Sequence, residues 1–134
     1  MCEFRGVHPV IRLLIVDDHT VVRQGLSMLF GTVDDIEVVG TAEDGVLALK
    51  QVSALTPDVV LMDIGMPRLD GIEATRQIVT ADPDARIVIL TGDADQTKVQ
   101  QAVEAGALGF LLKDAEPEAL FAAVRTAYAH EART

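Results

Sequence analysis

Short apolar runs alternate along the chain with longer stretches of helical period. The runs are IRLLIV (11–16), IEVVGT (36–41), DVVLMD (58–63), RIVILT (86–91) and LGFLL (108–112). The first, third and fourth are nearly continuous in Val, Ile and Leu, which is typical of central strands covered on both faces. The second and fifth include Glu or Gly, which favours the edges of a sheet.

The segments between the runs have the pattern of amphipathic helices. VVRQGLSML (21–29) places its apolar residues on one face, and VQQAVEAG (99–106) stops at Gly106, a typical residue for a helix C-terminus. Pro117 fits the first position of the last helix. The apolar stripe of that helix consists of Leu120, Phe121, Val124, Ala127 and Tyr128.

This alternation of strand and helix predicts an α/β fold, a parallel sheet with helices on both faces and right-handed crossovers. The 134 residues suit one domain. We expect it to span residues 11–130, with tails at 1–10 and 131–134. In such sheets the functional site lies beyond the carboxyl ends of the strands, so the residues that end each strand matter most.

Composition narrows the class of protein. The net charge of −10 disfavours direct binding of this domain to nucleic acid. The single cysteine, Cys2, excludes an internal disulfide, which fits a reducing compartment. MCEFRGVHPV lacks the apolar core of a signal peptide, and no apolar run approaches the length of a membrane span. A soluble, cytoplasmic protein is therefore expected.

Polar side chains stand where the predicted strands end. The first strand ends in Asp17 and Asp18, the third in Asp63, the fourth in Thr91, and the fifth near Lys113. Because the carboxyl ends of parallel strands meet at one edge, we expect three carboxylates, a hydroxyl and an amine to converge there.

Such a cluster of carboxylates needs a cation. Two unit charges about 4 Å apart repel by about 4 kcal/mol at an effective dielectric constant near 20, so the carboxylates either take up protons or bind a metal. Oxygen ligands of this kind favour Mg²⁺, which shares its coordination sphere with phosphate. Together with a lysine and a hydroxyl, the site suits a phosphoryl group, and aspartate is itself a phosphoryl acceptor.

Four motifs, VDDH, LMDIGMPRLDG, LTGD and GFLLKD, occur in the order and at the spacing found in receiver domains of bacterial two-component response regulators. The chain resembles that family over roughly residues 11–130. GFLLKDAEPEAL and DDHTVVRQGL are most similar to the NarL/LuxR group. The resemblance implies a flavodoxin-like (βα)5 domain whose five strands have the order 2-1-3-4-5.

The resemblance also implies a role for each motif residue. Asp63 would be the phosphoacceptor, with Lys113 and the Thr91 hydroxyl holding phosphoryl oxygens. Thr91 and Phe110 would form the switch, since Phe110 would turn inward when Thr91 moves toward the site and would change the face formed by helix four, strand five and helix five. The expected ligands of Mg²⁺ are Asp17, Asp18, Asp63 and the backbone carbonyl of Gly65.

The implied partner is a sensor histidine kinase, whose phosphohistidine would be the donor. The domain would catalyse only its own phosphorylation and dephosphorylation, so it is not expected to be an enzyme otherwise. A homodimer on phosphorylation is expected, through helices one and five or through helix four, strand five and helix five. The output would be transcription, through a DNA-binding domain missing from this chain; the alternative is a stand-alone receiver acting by protein contacts.

Two positions depart from the common family pattern or vary within it. Asp114 follows Lys113 where many receivers have proline and a cis peptide bond, which leaves that bond's geometry open. Gly65 and Asp93 flank the expected path of the hydrolytic water, and the absent side chain at Gly65 predicts an acyl phosphate of modest lifetime. His19 is expected to begin a helix near the site, and Asp34-Asp35 to form a solvated turn.

Three other functions fit the sequence less well. A flavin- or nucleotide-binding protein would need a phosphate-binding loop after strand one, where DDHT would repel phosphate. A haloacid-dehalogenase-like phosphatase would need an aspartate two residues after Asp63, where Gly65 stands. A receiver that no longer takes phosphate would not need the complete set of carboxylates, hydroxyl and lysine.

Overall fold

A computed structural model describes residues 10–92 and 95–130, and strand and helix alternate throughout. The strands are β1 (Ile11–Val16), β2 (Ile36–Ala42), β3 (Val59–Asp63), β4 (Ile87–Thr91) and β5 (Gly109–Leu112). The helices are α1 (Thr20–Phe30), α2 (Gly45–Leu55), α3 (Gly71–Ala81), α4 (Gln96–Ala105) and α5 (Pro117–Ala129).

The five strands form one parallel sheet of order β2-β1-β3-β4-β5. The order 2-1-3-4-5 and the flavodoxin-like fold are thus confirmed. Every residue of β3 and β4 is buried, whereas β2 and β5 at the edges include exposed or half-buried positions. The continuous apolar runs therefore mark the interior of the sheet, because only strands covered on both faces need apolar side chains at successive positions.

The core has two halves, one on each face of the sheet. Successive strand side chains point to opposite faces, so Leu14 and Val16 pack with helices α2 to α4 whereas Leu13 and Ile15 pack with α1 and α5. The stripe predicted for the last helix lies in the second half, and Phe121 meets Phe30 of α1 edge to face with ring centroids 5.5 Å apart. Both faces of the sheet are thereby closed, which leaves its carboxyl edge for a site.

The helix ends follow local side-chain chemistry. The Asp70 side chain accepts the N–H of Glu73 at the start of α3 (2.8 Å) and so caps that helix. Helix α4 ends at Gly106 with a positive φ of 118°, as expected. It begins three residues before the segment that the apolar period marks, because the Asp95 side chain accepts the N–H of Thr97 (2.9 Å).

One expectation about the turns is confirmed only in part. Asp34-Asp35 does form a turn, but Asp35 is more than a solvated residue. Its carboxylate accepts two hydrogen bonds from the Arg125 guanidinium of α5, at 2.7 and 2.8 Å. The turn after α1 is therefore tied to the last helix, an attachment that neither segment's own pattern could show.

Within residues 10–92 and 95–130, no helix combines the length and the apolar composition needed to cross a membrane.

Candidate functional site

The predicted site residues meet at the carboxyl edge of the sheet. Asp17 directly follows β1, while Asp63 and Thr91 are the last residues of β3 and β4. The register pairs Asp63 with Leu90 and Thr91 with Leu112, so neighbouring strands end at nearly the same level. The backbone N–H of Lys113 donates to the Thr91 carbonyl at 2.8 Å, which carries the end of β5 to the same edge.

The Lys113 ammonium lies between two buried carboxylates. Its Nζ is 3.0 Å from Asp17 Oδ2 and 3.3 Å from Asp63 Oδ2. Asp17 is fully buried at 0% exposure, and Asp63 is nearly so. One ammonium thus serves two carboxylates, so the group as a whole keeps an excess of negative charge.

That excess shows in the hydrogen bonding of the carboxylates. Among the described residues, three buried carboxylate oxygens lack a hydrogen bond of good geometry, although the Lys113 ammonium or the His19 ring lies near each: Asp17 Oδ2, Asp18 Oδ1 and Asp63 Oδ2. One ligand atom from each of these three aspartates and from His19 all lie within 4.8 Å of one another. Buried oxygens of this kind are costly unless paired. A small divalent cation that prefers oxygen ligands fits this set.

The site raises the pKa values of both Asp63 and Lys113, for different physical reasons. Burial raises the pKa of Asp63 to about 6, the charge of Asp17 adds to the rise, and Lys113 opposes it. Burial acts to lower the pKa of Lys113, but its close contact with Asp17 and the charge of Asp63 outweigh burial and raise that pKa. The ammonium of Lys113 is therefore favoured, whereas the buried charge of Asp63 is disfavoured unless a cation lies beside it.

Neighbouring residues brace Asp17. His19 begins α1 as expected, and its backbone N–H donates to Asp17 Oδ1 at 2.8 Å. Its ring Nδ1 lies 3.0 Å from both Asp17 Oδ1 and Asp18 Oδ1. The Arg23 guanidinium donates to the Asp17 carbonyl at 2.6 Å. Contacts from the beginning of α1 thus fix the position of the aspartate pair.

The loop after β3 approaches the site closely. Gly65 is exposed, lies two residues beyond Asp63, and donates its N–H to Asp63 Oδ1 across a long 3.4 Å. The loop closes where the Gly71 N–H donates to the Ile64 carbonyl at 2.9 Å. A Cβ at position 71 would stand 1.9 Å from the Asp63 carbonyl oxygen, so only glycine permits this closure.

The site opens into a cleft of about 240 Å³ whose lining includes Asp63, Gly65, Thr91 and Lys113. Asp95 and Lys98, from the beginning of α4, also line the cleft. We did not predict these two from the sequence. The sequence contained part of the information, since Asp95 precedes the helical stretch in the way an N-terminal cap does. Only the packing of α4 shows that the beginning of this helix faces the site.

Phe110 lies apart from the carboxylates. It is on β5 and is 45% exposed, whereas Thr91 is buried. The Lys113–Asp114 bond is trans, since the described residues contain no cis peptide bond. Asp93, expected near the hydrolytic water, lies outside the described residues, as do residues 1–9, which include Cys2, and residues 131–134.

The comparison with protein families agrees with this geometry. The model for the response regulator receiver domain matches residues 13–125, most of the chain. The chain belongs to the response regulator receiver domain family. Receiver domains are signalling modules of two-component systems rather than enzymes in the usual sense, and they are generally Mg²⁺-dependent.

The relatives of this receiver domain are transcriptional regulators. It is 47% identical over 120 residues to the uncharacterized transcriptional regulatory protein YhcZ of Bacillus subtilis, covering 90% of this chain and 55% of that protein. It is 44% identical over 118 residues to the transcriptional regulatory protein LiaR of Bacillus subtilis, with 88% and 56% covered. The chain therefore spans about half the length of the curated relatives it matches.

Solved structures place the receiver domain in the same group. The signal receiver domain of the putative response regulator NarL from Mycobacterium tuberculosis matches with a TM-score of 0.85 and 31% identity, covering 92% of this chain and all (100%) of that one. A LuxR-family regulator from Aurantimonas matches with a TM-score of 0.86 and 38% identity, covering 90% and 86%. The resemblance to the NarL/LuxR group is thereby confirmed.

Proposed function

We propose that Asp63 accepts a phosphoryl group from the phosphohistidine of a sensor histidine kinase, in a site that also holds Mg²⁺. The observation that carries the proposal is the Lys113 ammonium, 3.0 Å from Asp17 and 3.3 Å from Asp63, beside carboxylate oxygens that lack good hydrogen bonds. A fixed cation next to a buried acceptor suits a transferred group that carries negative charge on several oxygens.

In the transfer step the Asp63 carboxylate attacks phosphorus, an O–P bond forms, and the N–P bond to the donor imidazole breaks. The imidazole leaves with the electron pair of that bond and takes up a proton. Lys113 would follow the phosphoryl oxygens by exchanging its contact with Asp63 for one with the new group. Thr91, buried at the end of β4, would donate its hydroxyl to another phosphoryl oxygen.

The metal would be held by Asp17, Asp18, Asp63 and the carbonyl of Gly65. When bound, Mg²⁺ supplies charge neutralisation to the phosphoryl oxygens. The Lys113 ammonium, 3.0 Å from Asp17, would reduce the repulsion among these carboxylates while the metal binds.

Hydrolysis of the acyl phosphate limits the lifetime of the signal. Water attacks the phosphorus of the acyl phosphate, which returns the Asp63 carboxylate and releases inorganic phosphate. Gly65 leaves the approach open, because a Cβ there would meet nothing within 4 Å. The domain acts as a catalyst only on its own phosphorylation and dephosphorylation.

The output would pass through the face formed by α4, β5 and α5. This face already exposes apolar side chains, among them Val103, Phe110 and Leu112. Movement of Thr91 toward a phosphoryl group would vacate space that Phe110 then fills, so the face has two packed arrangements. A homodimer formed through this face or through α1 and α5 is part of the proposal.

In the full-length protein, a DNA-binding domain would convert this change into transcriptional control, as the similarity to transcriptional regulators suggests. The same kinase-driven switch acting in the cytoplasm by protein contacts alone is the alternative. The two share the chemistry at Asp63 and differ in what the α4–β5–α5 face binds.

The test is intact mass after incubation with acetyl phosphate. We expect a phosphoryl-sized gain in the wild type with Mg²⁺, and none with EDTA or in Asp63→Asn. Asp34→Asn, which changes an exposed aspartate in a turn, is the matched control and should gain like the wild type. No gain in a folded wild type that binds Mg²⁺ would contradict the proposal and favour a receiver that works without phosphorylation.

A further inference from the structure

An ion pair joins the loop after β3 to the beginning of α2. Asp44 is the N-terminal cap of α2 and is only 2% exposed. Its Oδ1 accepts the N–H of Leu47 at 2.9 Å, and its Oδ2 accepts from the Arg68 guanidinium, with Nε at 3.0 Å and Nη2 in closer contact. Each oxygen of this buried carboxylate thus has its own donor, one from the helix and one from the loop.

A second contact holds the same part of the loop. The Gly45 N–H, at the first position of α2, donates to the Leu69 carbonyl at 3.1 Å. A Cβ at position 45 would lie 2.3 Å from that carbonyl oxygen and 2.8 Å from Leu69 Cβ. The backbones of helix and loop therefore approach as closely as glycine allows, and two successive loop residues are attached to α2.

The loop backbone is held in a conformation that it would not adopt by itself. Arg68 has a φ of +67°, which costs free energy for a residue with a Cβ. The Leu69 N–H donates to the Pro67 carbonyl at 2.8 Å, a hydrogen bond of the γ-turn kind centred on Arg68. Such a backbone persists only where surrounding contacts hold it, and here the Arg68 side chain supplies one of them.

The attachment at Arg68 bears on the functional site because the beginning of the same loop lies beside Asp63. Gly65 stands three residues before Arg68, lines the cleft at Asp63, and donates its N–H to Asp63 Oδ1 at 3.4 Å. Gly71 fixes the far end against β3. The position of the Gly65 peptide is thus set between a rigid strand and the attachment at Arg68.

We propose that the Asp44–Arg68 ion pair is a positioning device for the metal-binding loop, so that a salt bridge outside the cleft sets the affinity for Mg²⁺ through Gly65. This inference rests on the proposed function, because it assigns the Gly65 carbonyl to the metal. Arg68 acts through the loop and contacts neither the metal nor the phosphoryl group.

Two substitutions separate positioning from stability. Arg68→Ala removes the ion pair and keeps the unfavourable φ, whereas Arg68→Gly removes the ion pair and also relieves the backbone. We expect Arg68→Gly to unfold at a higher temperature than Arg68→Ala, and both to bind Mg²⁺ severalfold more weakly than the wild type. Arg68→Lys, which retains the charge but not the planar pair of donors, should restore part of the affinity.

Two measurements test this. One determines the Mg²⁺ affinity from the rise in unfolding temperature as Mg²⁺ is titrated. The other is amide hydrogen exchange of residues 64–70 without metal. Faster exchange confined to that loop is expected in the Arg68 variants. Arg125→Ala, which breaks the exposed ion pair to Asp35 far from the loop, is the matched control and should leave both readouts unchanged.

The outcomes distinguish this inference from the proposed function. If the wild type binds Mg²⁺ and takes up phosphate, but the Arg68 variants keep its affinity and its loop exchange, the positioning role is wrong and the function stands. If the wild type itself binds no Mg²⁺, both are wrong. Weaker binding in Arg68→Ala that Arg68→Gly restores would also contradict positioning, since stability alone would then explain the loss.

Discussion

The side chain of Lys113, at the end of β5, meets that of Asp17, at the end of β1, with Nζ 3.0 Å from Oδ2. These strands are not neighbours, because β3 and β4 lie between them in the sheet. At about 4.8 Å per strand, the axes of β1 and β5 lie roughly 14 Å apart, so both side chains contribute to spanning this part of the sheet edge. Asp63 lies on β3, between the strands that hold Asp17 and Lys113, so this contact passes beside it. Because the three charged groups are in contact, a change in the charge of one affects the other two.

The stability of the metal-free protein should depend on pH through Asp63. Its pKa is raised from 3.8 to about 6 in the folded chain. The folded state thus binds the proton more tightly, so this group adds stability at pH below its ordinary pKa that is lost as pH rises through about 6. In EDTA near neutral pH, Asp63→Asn should therefore be more stable than the wild type by about 3 kcal/mol.

Urea unfolding in EDTA at several pH values measures this difference, provided that both proteins show the same denaturant dependence. The advantage of Asp63→Asn should shrink as the pH falls below about 6. An advantage that is the same at all pH values would show that relief of buried charge is not its cause.

Binding of Mg²⁺ should stabilise the wild type. At a metal concentration of about 100 times Kd the gain is about 2.7 kcal/mol, which corresponds to roughly 10 °C in Tm for a domain of this size. Asp18→Asn removes one of the carboxylates that has an oxygen without a hydrogen bond of good geometry, so its gain at the same concentration should be much smaller. Thermal unfolding with and without Mg²⁺ measures both, with Asp34→Asn as the control. Equal gains in Asp18→Asn and the wild type would remove Asp18 from the metal site.

A side chain at position 65 should prolong the phosphorylated state. Gly65→Met adds bulk where the structure has open space, so the fold should tolerate it while the approach of water to the phosphorus narrows. The acyl phosphate should decay severalfold more slowly, as followed by intact mass after removal of the donor. Gly25→Met, at an equally open position on α1, is the matched control. Decay at the wild-type rate in Gly65→Met would contradict the role of this position.

Lys98 should attract small anionic donors into the cleft. It lies in the first turn of α4 and lines the cleft beside Lys113. Lys98→Met should raise the acetyl phosphate concentration needed for half-maximal phosphorylation severalfold at low ionic strength, and leave the maximal rate nearly unchanged. The difference should disappear at high salt, where exposed charges are screened. Lys50→Met, at an exposed position on α2, is the control, and a defect that persists in salt would indicate a structural effect.

Much of the fold was determined by short-range patterns in the sequence. Runs such as IRLLIV and RIVILT can be satisfied only inside a sheet covered on both faces, so the strands and the central positions of β1 and β4 could be predicted. The same pattern predicted which residues meet at the carboxyl edge, because a parallel sheet brings strand ends together whatever the detailed packing. Asp17, Asp63, Thr91 and Lys113 were found in this way.

Tertiary structure alone decided the contacts between segments whose sequence patterns are independent of each other. Asp35 and Arg125 are 90 residues apart, and Asp44 and Arg68 are 24 apart, and neither pair has a spacing that local periodicity could reveal. Both arginines are exposed, and an exposed arginine can pair with many carboxylates at little cost, so only the packing of helices against the sheet selects its partner. The chemistry at Asp63 could be predicted from the sequence because strand ends meet at one edge. The attachment of the neighbouring loop to α2 depends on such a selected pair, so it could be seen only in the folded chain.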